Sequence, residues 1–148
     1  VIARDLRIAV IASRFNDAIV ENLVRGAVDA LLRHGASEKQ LEIIRVPGAY
    51  DLPFVARRVA ASKRCDAIVA LGAVIRGATP HFDDVCSQCA SGLARAADDT
   101  GVPIAFGVLT TDTIEQAVER AGTKAGNKGA DAALVAIELA NLMRRLDV

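Results

Sequence analysis

The chain has 148 residues, enough for one hydrophobic core burying roughly 70% of the unfolded surface. Its 18 Lys+Arg balance 18 Asp+Glu, and a net charge of zero argues against a general nucleic-acid binder, which needs an electropositive face to displace counterions. Apolar residues make up 52% and aromatics only 3%, so a short, neutral, alanine-rich chain covers itself poorly and is expected to self-associate.

Strand and helix signals alternate along the chain. Arg7 to Ser13 (RIAVIAS) reads as a first strand. A helix follows, with Asn16 or Asp17 as its side-chain cap and Val20, Leu23, Val24, Ala27, Val28 and Leu31 at helical spacing. Gly35 ends it. Leu41 to Val46 is a second strand, closed by Pro47-Gly48, and a helix runs from about Leu52 to Lys63. Asp66 to Val74 is continuously apolar, as a strand covered on both faces should be. A polar loop from Ile75 to Pro80 leads to a helix from Phe82 to Thr100, and Ile104 to Thr110 is a fourth strand. The remaining third reads as helical, interrupted between Gly122 and Gly129, with a last helix from Asp131 to Leu146. Four strands alternating with helices imply βαβ units and a parallel sheet. The last helix is apolar on two sides, Ala133, Ala136, Leu139, Ala140 and Met143 on one and Leu134, Ile137 and Leu142 on another, which asks for a second packing partner, another subunit.

The longest apolar run, Ala67 to Ile75, falls short of the about 20 residues that cross a bilayer. No secretory signal pattern opens the chain, and Val1 in place of Met predicts further residues upstream. Cys65, Cys86 and Cys89 are an odd set that suits a reducing cytoplasm rather than a disulfide framework. Cys86-Ser-Gln-Cys89 has metal-like spacing, but no second pair answers it, and Cys89 falls on the stripe of Val85, Leu93 and Ala96; these read as packing cysteines, with no metal site.

Ligands of open α/β sheets bind beyond the carboxyl ends of the strands. There this chain places Arg14-Phe15-Asn16, then Val46 to Asp51 (VPGAYD), then Ile75 to Asp83 (IRGATPHFD), which together hold Phe15, Tyr50, Phe82 and His81. Phe15 and Tyr50 sit in loops, where core packing explains them poorly; Phe82 and Phe106 occupy ordinary core positions. His81, between a Gly/Thr/Pro loop and a helix, suits proton transfer near neutral pH. His34, at a helix end, reads as a complement to the helix dipole. Gly77-Ala78-Thr79 offers backbone N–H groups and a hydroxyl to a phosphate. Arg120 to Gly129 resembles a Walker A loop only in composition: Arg120, Lys124 and Lys128 make either a solvated kink or a second anion clamp.

At these loops the chain resembles the lumazine synthase family, the 6,7-dimethyl-8-ribityllumazine synthases of riboflavin biosynthesis. The matching stretches are Ser13–Asn16 (SRFN), Val46–Ala49 (VPGA), Gly72–Asp83 (GAVIRGATPHFD), Gly107–Thr111 (GVLTT), Glu119–Gly129 (ERAGTKAGNKG) and Ala136–Asn141 (AIELAN), in order and end to end. The resemblance implies a transferase that condenses 5-amino-6-(D-ribitylamino)uracil with 3,4-dihydroxy-2-butanone 4-phosphate, giving the lumazine, phosphate and water without metal or organic cofactor. It implies that Phe15 stacks on the pyrimidine beside Asn16, that Ala49, Tyr50 and Asp51 hold the ribityl chain and ring edge, and that Ala73, Val74 and Ile75 line the ring. Ala78, Thr79 and Arg120 would bind the phosphate with Lys128 nearby, Phe106 would close the pocket from a neighbouring subunit, and His81 would move protons. The chain departs from the family's pattern at Asp51, where Glu is common, and at Tyr50, where Phe or Trp is often seen.

The fold expected with this reading is a three-layer α/β/α sandwich around a four-stranded parallel sheet in flavodoxin-like order 2-1-3-4, one domain over residues 1–148, with the N-terminal segment available to a neighbour's sheet. The family assembles as pentamers, and some members build hollow icosahedra of twelve pentamers around riboflavin synthase; the bend from Gly122 to Asn127 resembles that capsid-forming type. Two other readings are a non-enzymatic flavodoxin-like module for a flavin or nucleotide, and a shell protein with weak or lost catalysis. Neither nucleic acid nor membrane is an expected partner.

Overall fold

The computed structural model describes residues 1–77, 81–123 and 126–147. The elements in chain order are β1 (Ile8–Ser13), α1 (Asp17–Arg33), β2 (Leu41–Val46), α2 (Leu52–Ala61), β3 (Ala67–Ile75), α3 (Phe82–Thr100), β4 (Ile104–Thr111), α4 (Ile114–Glu119), β5 (Ala121–Thr123), β6 (Gly126–Asn127) and α5 (Lys128–Leu146). The strands β1 to β4 form one parallel sheet in the order β2-β1-β3-β4. This is the expected order. β3 lies in the sheet interior and is buried at all nine positions, which is why its sequence is apolar without alternation.

Two helix layers cover the sheet. Ile8, Val10 and Ala12 of β1, with Val69, Leu71 and Ala73 of β3, face α1 and α5, where Leu23, Ala27, Leu31, Ala133, Ala136 and Ile137 meet them. The alternate residues Ala9, Ile11, Ile68, Ala70 and Val74 face α2 and α3, with Leu52, Ala56, Val59, Cys89 and Leu93. The strand period of two thus divides one apolar sequence between two cores. Small residues set the spacing: a Cβ on Gly107 of β4 would lie 3.1 Å from the Ala132 Cβ, so α5 approaches the sheet closely through alanines.

Five details differ from the sequence reading. Asn16 occupies the cap position of α1 without a side-chain capping bond, in a left-handed conformation with φ of 61°; its amide is used elsewhere. α2 ends at Ala61 rather than Lys63, whose φ of 60° lies outside the helix. The glycine-rich interruption is a two-stranded antiparallel hairpin, β5–β6, and α5 begins at Lys128 rather than Asp131. Asn127 explains that early start: its Oδ1 accepts from the Ala130 N–H at 3.0 Å, capping α5, while its Nδ2 donates to the Asn22 carbonyl of α1 at 2.9 Å. The last helix also divides differently: Ile137 joins Ala133, Ala136 and Ala140 in the buried face, while Leu134 and Val135 are exposed.

The N-terminal segment packs on its own chain. Ala3 and Leu6 are buried, the Ala3 N–H donates to the His34 carbonyl at 2.7 Å, and Gln40 Nε2 donates to the carbonyls of Ala3 and Leu6. Val1 and Ile2 remain exposed. His34 is half-buried, with Nδ1 2.7 Å from the Ala30 carbonyl, so its ring hydrogen-bonds the last turn of α1, where a donor complements the dipole.

Candidate active site

The loops after β1 and β2 are held together before any ligand arrives. The Arg14 N–H donates to the Val46 carbonyl at 2.8 Å and the Phe15 N–H to the Pro47 carbonyl at 3.1 Å, so the β1–β2 ladder continues past the sheet. This sets Phe15, half exposed, beside the turn Gly48–Asp51. That turn is a short 3-10 helix leading into α2, closed by the Asp51 carboxylate, whose Oδ2 accepts the Gly48 N–H at 3.0 Å. Asp51 thus spends one oxygen on its own backbone, the geometry a side chain one methylene shorter than Glu permits.

Between these loops and β3 lies a cavity of about 180 Å³, lined by Phe15, Gly48, Ala49, Tyr50, Ala73, Val74, Ile75 and Val85. Six of these lining residues were expected at the pyrimidine site. Gly48 and Val85 were not. Val85 belongs to the apolar stripe of α3 that includes Cys89 and Leu93; its first turn overhangs the cavity, so a residue legible as packing also serves as wall. Asn16 reaches the same place differently: its Nδ2 donates to the Ala73 carbonyl at 3.0 Å, tying the β1–α1 turn to the end of β3.

His81 stands at the head of α3, where its carbonyl accepts the Val85 N–H at 2.9 Å. Next to it, Phe82 is half-buried against the α2–α3 core. Ala78 and Thr79, expected at a phosphate, lie outside the described residues, as does Lys124. Arg76 precedes that loop. Its Nε donates to Asp112 Oδ1 at 2.8 Å, its guanidinium lies 4.4 Å above the Phe82 ring, and Asp83 stands 3.6 Å away. The bond to Asp112 raises its pKa above the usual arginine value, against a smaller opposing effect of burial.

Other expected site residues do not meet this cavity within one chain. Phe106, on the edge strand β4, pairs with Ala70, four residues or about 13 Å down the strand from Val74, and is 37% exposed. Arg120 and Lys128 meet each other instead: the Lys128 N–H donates to the Arg120 carbonyl at 2.9 Å at the base of the hairpin. That hairpin packs on α1, whereas the cavity is walled by the Gly48–Tyr50 turn before α2 and by Val85 of α3. The cysteines are packing groups. Cys89 is fully buried and Cys65 nearly so, and burial pushes their thiols up to about 12 and about 11.

A doubly wound parallel sandwich with an aromatic-walled apolar cavity beyond the carboxyl ends of β1, β2 and β3 defines a small-molecule-binding α/β protein. A sequence profile of the family described as 6,7-dimethyl-8-ribityllumazine synthase matches residues 5–144. Relatives carrying that name are 59% identical over 145 residues in Syntrophus aciditrophicus (98% of this chain, 94% of the relative) and 59% identical over 144 residues in Chlorobium phaeovibrioides (97% and 93%). Another, from Chlorobium limicola, is 55% identical over 143 residues (97% and 92%). The chain belongs to the 6,7-dimethyl-8-ribityllumazine synthase family of enzymes.

Proposed function

We propose that the chain forms 6,7-dimethyl-8-ribityllumazine from 5-amino-6-(D-ribitylamino)uracil and 3,4-dihydroxy-2-butanone 4-phosphate, releasing phosphate and water. The observation that carries this reading is the cavity itself: an exposed Phe15 facing Ala49, Tyr50 and the end of β3, an apolar slot for a flat heterocycle, in a chain of this family. Phe15 stacks on the pyrimidine. Asn16, Ala49, Tyr50 and Asp51 hold the ring edge and ribityl chain, and Ala73, Val74 and Ile75 line the ring. Asp51 has one carboxylate oxygen left for a ribityl hydroxyl, directly or through water.

The ring amine attacks the ketone, and loss of water gives an imine. Phosphate leaves by elimination, tautomerisation turns the neighbouring hydroxyl-bearing carbon into a carbonyl, and the ribitylamino nitrogen closes the second ring on that carbonyl with loss of a second water. Each step moves a proton, and His81 is the group we assign to carry it. Both reactants are intrinsically reactive, so most of the acceleration comes from holding them in contact. No cofactor takes part.

The phosphate is bound by the Ala78–Thr79 backbone and by Arg120, with Lys128 nearby. The hairpin that these two cations flank packs against α1, while the cavity is walled by the turn before α2 and by α3, so a cation from one subunit serves the cavity of another, and Phe106 closes it from the same neighbour. Exposed apolar side chains, among them Phe54 at 68%, Ile114 at 60% and Ile43 at 45%, support burial in an assembly. That assembly is a pentamer, extended in the capsid-forming type to twelve pentamers around riboflavin synthase, in the cytoplasm.

An absorbance assay with both substrates tests the reading. Lumazine forming at a rate proportional to protein is the expected result; no lumazine formation from assembled protein refutes it and favours the shell or flavin-module alternatives.

A further inference from the structure

We propose that Arg76 is a positioning residue for His81: its guanidinium fastens the first turn of α3 to the end of β4 and so fixes where the head of that helix stands over the cavity. The inference rests on the reading of His81 as the proton-transfer group.

Arg76 is itself held. Its backbone N–H donates to the Thr111 carbonyl at 2.8 Å, carrying the β3–β4 ladder one residue past Ile75, before Gly77 turns the chain away at a φ of 86°. From that fixed point the side chain spans two elements. On the β4 side its Nε donates to Asp112 Oδ1 at 2.8 Å. On the α3 side it covers the Phe82 ring at 4.4 Å and faces Asp83 Oδ1 at 3.6 Å. Phe82 and Asp83 are the first two residues of α3, and His81 is the residue before them, linked into the helix by its carbonyl. A displacement of this turn therefore displaces His81.

The magnitudes favour geometry over stability as the purpose. Arg76 is 54% exposed at its side chain, Asp83 83% and Asp112 66%, and exposed ion pairs contribute little each. Asp83 also remains favourable at a helix N-terminus without its partner, so α3 keeps its first turn when the guanidinium is removed. What is lost is orientation. A planar fork that donates one way while its face stacks on a ring specifies a direction, which a lysine ammonium on the same site does not.

The test measures lumazine formation by R76Q, R76K and D112N, and by R76Q in an H81A background. Misplacing a proton-transfer group forfeits part of its contribution, so R76Q lowers kcat by about tenfold. R76K restores only part of this, and D112N falls in the same direction. The KM for the pyrimidine rises by less than kcat falls, because Phe15, Ala49, Tyr50 and residues 73–75 are untouched and only Val85 of the cavity wall moves with the turn. R76Q added to H81A costs nothing further. Parental kcat in R76Q and D112N overturns the proposal, as does a full tenfold loss persisting in the H81A background. Parental kcat in H81A alone is a separate result: it removes the role given to His81, and the Arg76 proposal with it.

Discussion

The side-chain amide of Asn16 donates to the main-chain carbonyl of Ala73 at 3.0 Å. β1 ends its pairing with β3 at Ala12↔Leu71, so this carbonyl lies beyond the ladder and Asn16 supplies the partner that β1 no longer can. To do so Asn16 takes a left-handed conformation, which Asn tolerates better than most residues. Two contributions can therefore be separated. Asn16→Ala loses the hydrogen bond and strains the backbone, a combined cost of about 2 kcal/mol. Asn16→Gly loses only the bond and is milder by about 1 kcal/mol. Urea unfolding ranks them, and equal losses would show that the backbone conformation is unstrained. Both variants raise the KM for the pyrimidine, because Phe15 loses its neighbouring anchor.

This residue also shows how far the sequence could be read. A short polar side chain before an apolar periodic run signals a helix start, and the helix is there. The sequence does not say where the side chain points, because the carbonyl it serves belongs to a strand 57 positions away. β1 to β4 were legible because largely apolar runs rich in Ile and Val are bounded by Gly, Pro and polar loops. The hairpin was not: β5 and β6 have three and two residues, too short for a period, and they are held by tertiary contact with α1 through Asn127. Val85 carried a correct packing signal that could not reveal the cavity beneath its first turn.

His81 and Arg120 are assigned different tasks, so their loss should look different. His81→Ala lowers kcat by no more than about 10²-fold and leaves the KM values in place, since positioning persists. Arg120→Ala acts chiefly by raising the KM of the butanone phosphate. Steady-state kinetics with each substrate varied in turn decides between them. Abolished turnover in His81→Ala with ligand binding intact would make proton transfer, rather than proximity, the dominant effect. An unchanged phosphate-substrate KM in Arg120→Ala would remove that residue from the site.

Gly129 lies within α5, where alanine would ordinarily stabilise a helix by up to about 1 kcal/mol. Here a Cβ would fall on the Leu23 carbonyl of α1, 2.8 Å from its carbon, and backbone cannot step aside as a side-chain tip can. The steric cost, about 3 kcal/mol, exceeds the propensity gain. Gly129→Ala is therefore expected to lower the urea midpoint; a raised midpoint would mean that the two helices separate freely.

The buried thiols give stability a dependence on alkaline pH. Their pKa values, about 12 for Cys89 and about 11 for Cys65 against an ordinary 9.0, are raised first by burial. The folded protein therefore disfavours the thiolate. Their contribution is whole below about pH 8.5 and is lost progressively as pH rises through 9 towards 11 and 12. The urea midpoint should fall across that range, and Cys89→Ala should flatten the fall. A fall of the same steepness in Cys89→Ala would assign the alkaline loss to other groups. With a thiol reagent at pH 8, half-buried Cys86 reacts before Cys65 and Cys89.

Arg120 and Lys128 flank a hairpin that packs on α1, and the cavity is walled by the turn before α2 and by Val85 of α3. In a closed ring, every subunit is then donor to one neighbour and acceptor from the other. Two crippled variants can consequently repair each other. Unfolded together and reassembled, His81→Ala and Arg120→Ala chains would form rings in which about a quarter of the sites draw both native side chains from different parents. At limiting butanone phosphate, activity would rise on mixing two impaired proteins, and only if the division of labour runs between molecules rather than within one.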